Sequence, residues 1–290
     1  MAKGIPPPKL DEAPLAPGLY VIATPIGNLR DITLRALDVL AAADLVLAED
    51  TRVTAKLLQV YGLSAKLERY DEHGAERTRP KAMAALAEGK VVALVSDAGT
   101  PLVSDPGYKL VREAAAEGHP VFPIPGASAL LAGLSAAGLP TDRFLFAGFP
   151  PPKSAARRTF LEELAPIRAT LVFFEGGSRL AASLTDMAAV LGGAREAVVC
   201  RELTKLYETF YRGTLADLAA DPKLDAPKGE IVILVGPGRE AEATAGDVDT
   251  ALADALQRLR PADAAAEVAK ALGLSRREVY QRAMQLRAGK

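Results

Sequence analysis

Three short, nearly continuous apolar runs in this chain each end in a loop rich in proline and glycine, and this pattern limits its possible folds more than any other feature. Residues 19–23 (LYVIA) run into TPIGNLRD at 24–31, residues 91–95 (VVALV) into SDAGTPLVSDPG at 96–107, and residues 121–124 (VFPI) into PGASAL at 125–130. A fourth run, LVLA at 45–48, has the same character, and amphipathic stretches at 34–43, 79–88 and 108–117 lie between the runs. Short unbroken apolar strands separated by helices are what a sheet covered on both faces requires. Residues 18–139 therefore read as one α/β domain. In an open α/β sheet, ligands sit outside the carboxyl ends of the strands. Glycine removes the Cβ and proline presets φ, so three such loops bring backbone close to one ligand. The plain alternative is that they only punctuate turns.

A second α/β block spans 140–237, with strands expected at 144–148 (FLFAG), 170–174 (TLVFF), 197–200 (AVVC) and 231–235 (IVILV). Residues 208–212 (ETFYR) alternate polar and aromatic and predict an additional antiparallel strand. The short GLPTDR link at 138–143 implies two closely packed domains with a cleft between them. The proline-rich start, residues 1–17, reads as a mobile tail, and 238–247 as a linker. Residues 248–290 read as all helix. Residues 261–271 and 276–287 form two helical stretches around Gly273, with Ser275 placed to cap the second. That is a helix-turn-helix shape. From Ala255 to Lys290 there are eight basic residues against three acids, in a chain whose net charge is −1. Nucleic-acid contact therefore has to come from such a local patch; a solvated basic face on a packing helix is the other reading.

Some function classes are excluded. There is no G-x-G-x-x-G after the first strand, no phosphate-loop motif, no G-x-S-x-G elbow and no H-E-x-x-H. One cysteine, Cys200, precludes an internal disulfide or a thiolate zinc cluster and reads as a small buried hydrophobe. His73 and His119 share no ligand spacing and receive no role, so no metal is expected. Neither a signal-type apolar segment nor a run of about 18 apolar residues is present, which predicts a cytoplasmic protein with no membrane contact.

The motifs LYVIATPIGNLRDITLRAL (19–37), LAEDTR (47–52), LVSDAGTPLVSDPG (94–107), PIPGASA (123–129), CRELTKLYET (200–209) and KGEIVILV (228–235) resemble the tetrapyrrole-methylase superfamily of S-adenosylmethionine enzymes. Within it they are similar to the RsmI family, which 2′-O-methylates a cytidine in 16S rRNA of the small ribosomal subunit. SDAGTP stands where tetrapyrrole enzymes carry a G-G-D-P type loop, a departure that favours the RNA branch. The resemblance implies a two-domain, class III methyltransferase α/β fold with a small C-terminal helix-turn-helix, S-adenosyl-L-methionine as cofactor, and a homodimer. A tetrapyrrole C-methyltransferase and a non-catalytic nucleic-acid-binding protein are the alternatives.

Asp97 suits a ribose hydroxyl or the amine of that cofactor, and Ala98, Gly99 and Thr100 suit backbone contacts; helix capping is the plain reading of Asp97. By resemblance, Ser128 and Ala129 line the same pocket, Phe174 and Glu175 close over the adenine, and Pro25, Gly27 and Asn28 lie near the reacting methyl. Phe174 as ordinary core is the other possibility. Removing the hydroxyl proton calls for a base, with Lys205, Glu208, Asp50 and Glu230 as candidates. Lysine serves only if its pKa is depressed; otherwise Lys205 contacts RNA phosphate. Arg52 is expected to meet phosphate and Asp50 to orient the substrate, unless EDTR forms an interdomain salt bridge. Arg157, Arg158, Arg201, Arg276, Arg277 and Arg282 complete the expected RNA contacts.

Overall fold

The computed structural model describes residues 9–11, 13–72, 74–238, 245–272 and 274–288. Its elements run β1 (Gly18–Ile22), α1 (Leu34–Ala42), β2 (Leu45–Ala48), α2 (Thr51–Val60), β3 (Leu67–Arg69), α3 (Ala75–Ala87), β4 (Val91–Val95), α4 (Tyr108–Ala116), β5 (Val121–Ile124) and α5 (Ala129–Ala137). They continue with β6 (Phe144–Phe146), α6 (Ser154–Leu164), β7 (Thr170–Gly176), α7 (Leu180–Met187), β8 (Glu196–Arg201), β9 (Thr209–Thr214), α8 (Leu215–Ala220), β10 (Glu230–Val235), α9 (Ala245–Arg258), α10 (Pro261–Leu272) and α11 (Arg276–Ala288).

The first sheet is parallel throughout, in the order β3-β2-β4-β1-β5. Alternate residues supply its two faces. Leu19, Leu45, Leu47, Val92 and Leu94 pack with α3 and α4 residues such as Met83 and Leu110, while Tyr20, Ile22, Val46 and Ala93 pack with Val39, Leu40 and Leu58 from α1 and α2. Burial on both sides is why these strands read as unbroken apolar runs.

The second sheet, β6-β7-β10-β8-β9, is mixed: β6 runs parallel to β7, and every other pair is antiparallel. The alternating segment at 208–212 is β9, an edge strand. One face of this sheet, with Phe173, Val199 and Ile233, packs on α6, α7 and α8. The other, with Val172, Val198, Cys200 and Val232, packs on Leu134 and Ala137 of α5 and on Ile26 of the TPIGN loop. The two sheets thus share a core, and residues up to Pro237 cluster as one compact unit. Cys200 is fully buried, and burial pushes its thiol up to about 12.

Several elements differ from the sequence reading. β3 is a three-residue edge strand with a single apolar residue, Leu67, and carries no periodic signal. α3 begins at Ala75, ahead of the expected 79, and carries exposed Pro80 inside it, where the ring removes the amide that would bond the carbonyl four residues back. Part of the expected tail is held: Asp11 donates its amide to Asp38, the Tyr20 hydroxyl donates to the Ala16 carbonyl at 2.8 Å, and Leu15 packs on the core. The last three residues of the expected linker are the first turn of α9; 239–244, His73 and Gly273 lie outside the described residues.

The C-terminal unit, from Gly238 on, packs α9, α10 and α11 around Leu252, Ala264, Ala265, Val268, Val279 and Ala283. Alanines along α10 let its neighbours approach closely. Arg282 of α11 forms a two-bond pair with Asp249 of α9, at 2.6 and 2.5 Å.

Phe173 is fully enclosed between β7 and its helices. Phe173→Ala is expected to cost about 3–5 kcal/mol, read as a lower urea midpoint with an unchanged slope.

Candidate active site

The order of the first sheet places β2, β4, β1 and β5 side by side, so EDTR, SDAGTP, TPIGN and PGAS emerge next to one another along one edge. Two of these loops are stitched together. Thr24 and Gly99 exchange both backbone hydrogen bonds, at 2.9 and 3.0 Å, and the Thr24 hydroxyl donates to the Ser96 carbonyl at 3.1 Å. Gly99 has φ +81°, and a Cβ there would lie 3.3 Å from Ile26 Cγ2, so both the turn and the close approach call for glycine. Thr100 reaches across to the third loop, its hydroxyl donating to the Ala127 carbonyl at 3.2 Å.

In the second sheet, the end of β7, the start of β10 and the end of β8 share one edge: Glu175 pairs with Ile231, and Ile231 with Arg201. Between the two sheets opens a cleft of about 320 Å³, lined by Ile26, Asp97, Ala98, Ala129, Phe174 and Glu175 from the sequence motifs. Glu49, Val103, Ser104, Asp105, Phe149, Leu203 and Glu230 complete its wall together with Ile231 and Val232.

One wall is acidic. Asp97 Oδ1 accepts the Asp50 amide at 2.9 Å, and the Asp97 amide points at Glu49 Oε2 at 3.5 Å. Burial raises the Glu49 carboxyl, with Asp97, Asp71 and Asp50 adding repulsion against the bond from the Asp97 amide. Burial also pushes Asp105 up to about 6, helped by the charges of Glu49 and Asp97 and opposed by a bond from Ser96. Asp105 follows Leu102 and Ser104, both at positive φ (72° and 65°). Such strain persists where surrounding structure enforces it, and it concentrates at functional sites.

The opposite wall is the RELTK turn, where Glu202 and Thr204 also have positive φ (54° and 65°). Lys205 Nζ lies 2.7 Å from both Glu202 Oε1 and Glu230 Oε2. Its aliphatic stem lies on Gly27, where a Cβ would come within 2.3 Å of Lys205 Cγ. The Asn28 amide donates to the Thr204 hydroxyl at 3.2 Å. Sequence separation gave no hint that TPIGN and RELTK touch.

The structure corrects several expected roles. Burial disfavours the Lys205 ammonium, but the two carboxylates outweigh it and raise its pKa, so the depressed pKa that a lysine base requires is absent. Asp50 is bound to Arg52 by side-chain and backbone bonds that hold its carboxyl well below the usual range, and it caps α2; neither group is poised as a base. Glu208 accepts the Thr204 amide at 2.7 Å and braces the turn. Glu175 is buried and accepts bonds from Ser183 at 2.6 Å and from its neighbour's amide, with Arg179 paired to it, so its carboxylate is spoken for within the protein. Ser128 caps α5 through its hydroxyl.

Arg157 is not an RNA contact. Its side chain is 4% exposed, paired with Asp186 at 2.7 Å, and it donates to the carbonyls of Pro151 and Pro152. Arg282 is committed to Asp249, and Arg201 donates to the Lys228 carbonyl. Arg158, Arg276 and Arg277 stand exposed. Pro25 leads into Ile26, which is buried in the shared core. Among the cleft residues absent from the sequence reading, Asp105 lay within a quoted motif, and Phe149 directly precedes a proline run. Glu49 was hidden behind the more conspicuous Asp50 and Arg52.

Comparison with known proteins agrees with this geometry. The family model described as Tetrapyrrole (Corrin/Porphyrin) Methylases matches residues 18–219, and the RsmI C-terminal HTH domain matches 242–287. A solved uroporphyrin-III C-methyltransferase from Thermus thermophilus shares the fold, with TM-score 0.54 and 24% identity over 75% of this chain and 93% of that one. By fold and by strand-end cleft the chain is thus of the tetrapyrrole methylase class. The Ribosomal RNA small subunit methyltransferase I of Mesorhizobium japonicum is 52% identical over 94% of each chain, and that of Erythrobacter litoralis 54% identical over 94% of this chain and 97% of its own. That of Escherichia coli O157:H7 is 45% identical over 92% of this chain and 94% of its own. The chain belongs to the ribosomal RNA small subunit methyltransferase I family. Among the described residues, no helix is long and apolar enough to cross a membrane.

Two outcomes follow from the charges. Removing Arg157 leaves buried Asp186 with the Ser154 hydroxyl and Arg158 at 3.8 Å in place of its close ion pair, so Arg157→Ala is expected to lower stability by about 3 kcal/mol, measured by urea unfolding. The native state binds the Asp105 proton more tightly than the unfolded chain does. Its stabilising contribution is therefore full below about pH 4, the unfolded value, and is lost as pH rises through about 6. Asp105→Asn should flatten that part of the melting-temperature profile and raise the melting temperature of the ligand-free protein at neutral pH.

Proposed function

We propose that this chain transfers the methyl group of S-adenosyl-L-methionine to the ribose 2′ oxygen of a cytidine in 16S rRNA of the small ribosomal subunit. The observation that carries the reading is the 52% identity over 94% of the chain to a ribosomal RNA small subunit methyltransferase I, a match that takes in both cleft walls. The cleft suits the donor. At about 320 Å³ it lies in the range of small-molecule sites, and Glu49, Asp97 and Asp105 give one wall a negative field for a cationic ligand. Gly99 and Ala98 allow backbone contact there, and Phe174 offers an apolar surface.

The bound donor supplies an activated methyl group. The chain's own residues position it and handle the proton. Asp97, held by the Asp50 amide, presents its second carboxylate oxygen to the donor's polar end. Ile26, Leu203 and Val232 exclude water from that part of the cleft. Glu230 lines the cleft and, although Lys205 Nζ lies 2.7 Å from one of its oxygens, its carboxylate is 77% exposed, which supports it as the acceptor for the 2′-hydroxyl proton. The Lys205 ammonium beside it stabilises the oxygen as its charge grows. Gly27 and Asn28 hold the TPIGN loop on that lysine and couple the two walls. The exposed arginines Arg158, Arg276 and Arg277 supply positive charge for phosphate. The substrate implies a cytoplasmic protein, and the family resemblance implies a homodimer.

The test uses labelled S-adenosylmethionine and small subunits lacking the modification. Label is expected on a ribose 2′ oxygen, and label on a base or on a tetrapyrrole overturns the reading. Glu230→Gln should lower kcat roughly 10²–10⁴-fold with cofactor affinity kept, the latter read as the melting-temperature rise with added cofactor.

A further inference from the structure

Phe149 stands apart from every group used so far. It lines the cleft, yet 54% of it is open to solvent. Its neighbour in the wall, Phe174, lies deeper and meets it edge-to-face at 5.7 Å, and Phe174 in turn packs on Phe146 at 4.7 Å. The ring is held on a stiff mount. Gly148, at φ +68°, accepts the Phe174 amide at 2.9 Å, and three prolines follow Phe149. The carbonyls of two of them, Pro151 and Pro152, are clamped by buried Arg157. The clamp gives that arginine a purpose its sequence position did not suggest. Holding an exposed aromatic ring rigid at the mouth of a cleft prepares a flat surface for a flat ligand at little further entropic cost.

From this geometry we infer that Phe149 is the stacking platform for the nucleobase of the methylated nucleotide. The inference rests on the rRNA reading above and deepens it. A ribose in folded RNA reaches a recessed methyl group only if its nucleotide is splayed out of the stack, and the unstacked base then needs a new partner. On that reading the donor occupies the cleft of about 320 Å³, which leaves the base at the rim, where Phe149 lies. Charge on the same segment supports a nucleotide over the donor's adenine: Lys153, four residues on, is exposed and suited to a flanking phosphate, and Arg158, nine residues on, is half exposed beside its long 3.8 Å pair with Asp186. Phe174, behind the rim, remains available to the adenine. Stacking tolerates any base, so Phe149 contributes affinity and placement without selecting the nucleotide.

The experiment compares full-length wild type with Phe149→Ala, Phe149→Leu and Phe149→Tyr. Cofactor affinity is measured by calorimetry, and KM and kcat are measured on unmodified small subunits. Phe149→Ala and Phe149→Leu should raise the KM for the subunit roughly five- to a hundredfold, while cofactor affinity, which also reports folding, stays within about twofold. Phe149→Tyr should restore most of the loss. Weakened cofactor binding with unchanged subunit KM would overturn the inference and give the ring to the adenine. No change in either quantity would overturn it as well. Failure of the wild type to label any ribose would remove the underlying reading first, and this one with it.

Discussion

The parallel first sheet is the constraint on which the rest of the molecule depends. Parallel strands cannot be joined by tight turns, so each strand is followed by a helix that carries the chain back, and all the carboxyl ends fall on one edge. That edge must present its loops together. In the order β2-β4-β1-β5, four loops drawn from residues 24 to 130 become neighbours, and the Thr24–Gly99 pair fastens the central two. Closing the opposite side falls to the mixed sheet, whose strand ends bring Glu175, Glu230 and the RELTK turn to face those loops.

Opposed walls of this kind need a fixed separation, and packing supplies it. Ile26 leaves the TPIGN loop to join the core of the second sheet, and α5 lies on that sheet although it follows the last strand of the first. Gly27 then lets the Lys205 stem lie directly on the loop backbone. Strained residues occur on both sides, at Leu102 and Ser104 and at Glu202 and Thr204. Well-packed surroundings offset that strain, and the turns it shapes bring Asp105 and Leu203 to the cleft.

Charge is distributed unevenly across the cleft. The β2–β4 wall holds two carboxylates that burial, helped by their acidic neighbours, raises, whereas the RELTK wall neutralises its acids with one lysine. A cationic donor belongs against the first wall, and developing negative charge belongs beside the second. The arginines divide along similar lines: Arg157 and Arg282 serve the fold through Asp186 and Asp249, and Arg158, which also reaches Asp186 at 3.8 Å, keeps half of its side chain in solvent.

Much was legible in the amino-acid order. Unbroken apolar runs marked the strands of the parallel sheet because burial on both faces removes polar alternation, and the proline and glycine loops marked their functional ends. The alternating ETFYR segment announced β9, and glycine with small residues announced the helix-turn-helix. Side-chain commitments were not legible. Arg157 looks like any surface arginine until Asp186, twenty-nine residues away, is seen to bury it, and Lys205 looks like a base until Glu202 and Glu230 are seen to close on it. Phe149 looks like a loop residue until Arg157 fixes the prolines beside it.

The sequence by itself determined every strand except β3, the loops at their ends and the family, since these follow from local periodicity and contiguous motifs. Only the tertiary structure decided which loops meet, which charges are already paired and which aromatic ring stays free. Those outcomes depend on pairings between distant residues, and no local pattern encodes a partner's distance or its burial.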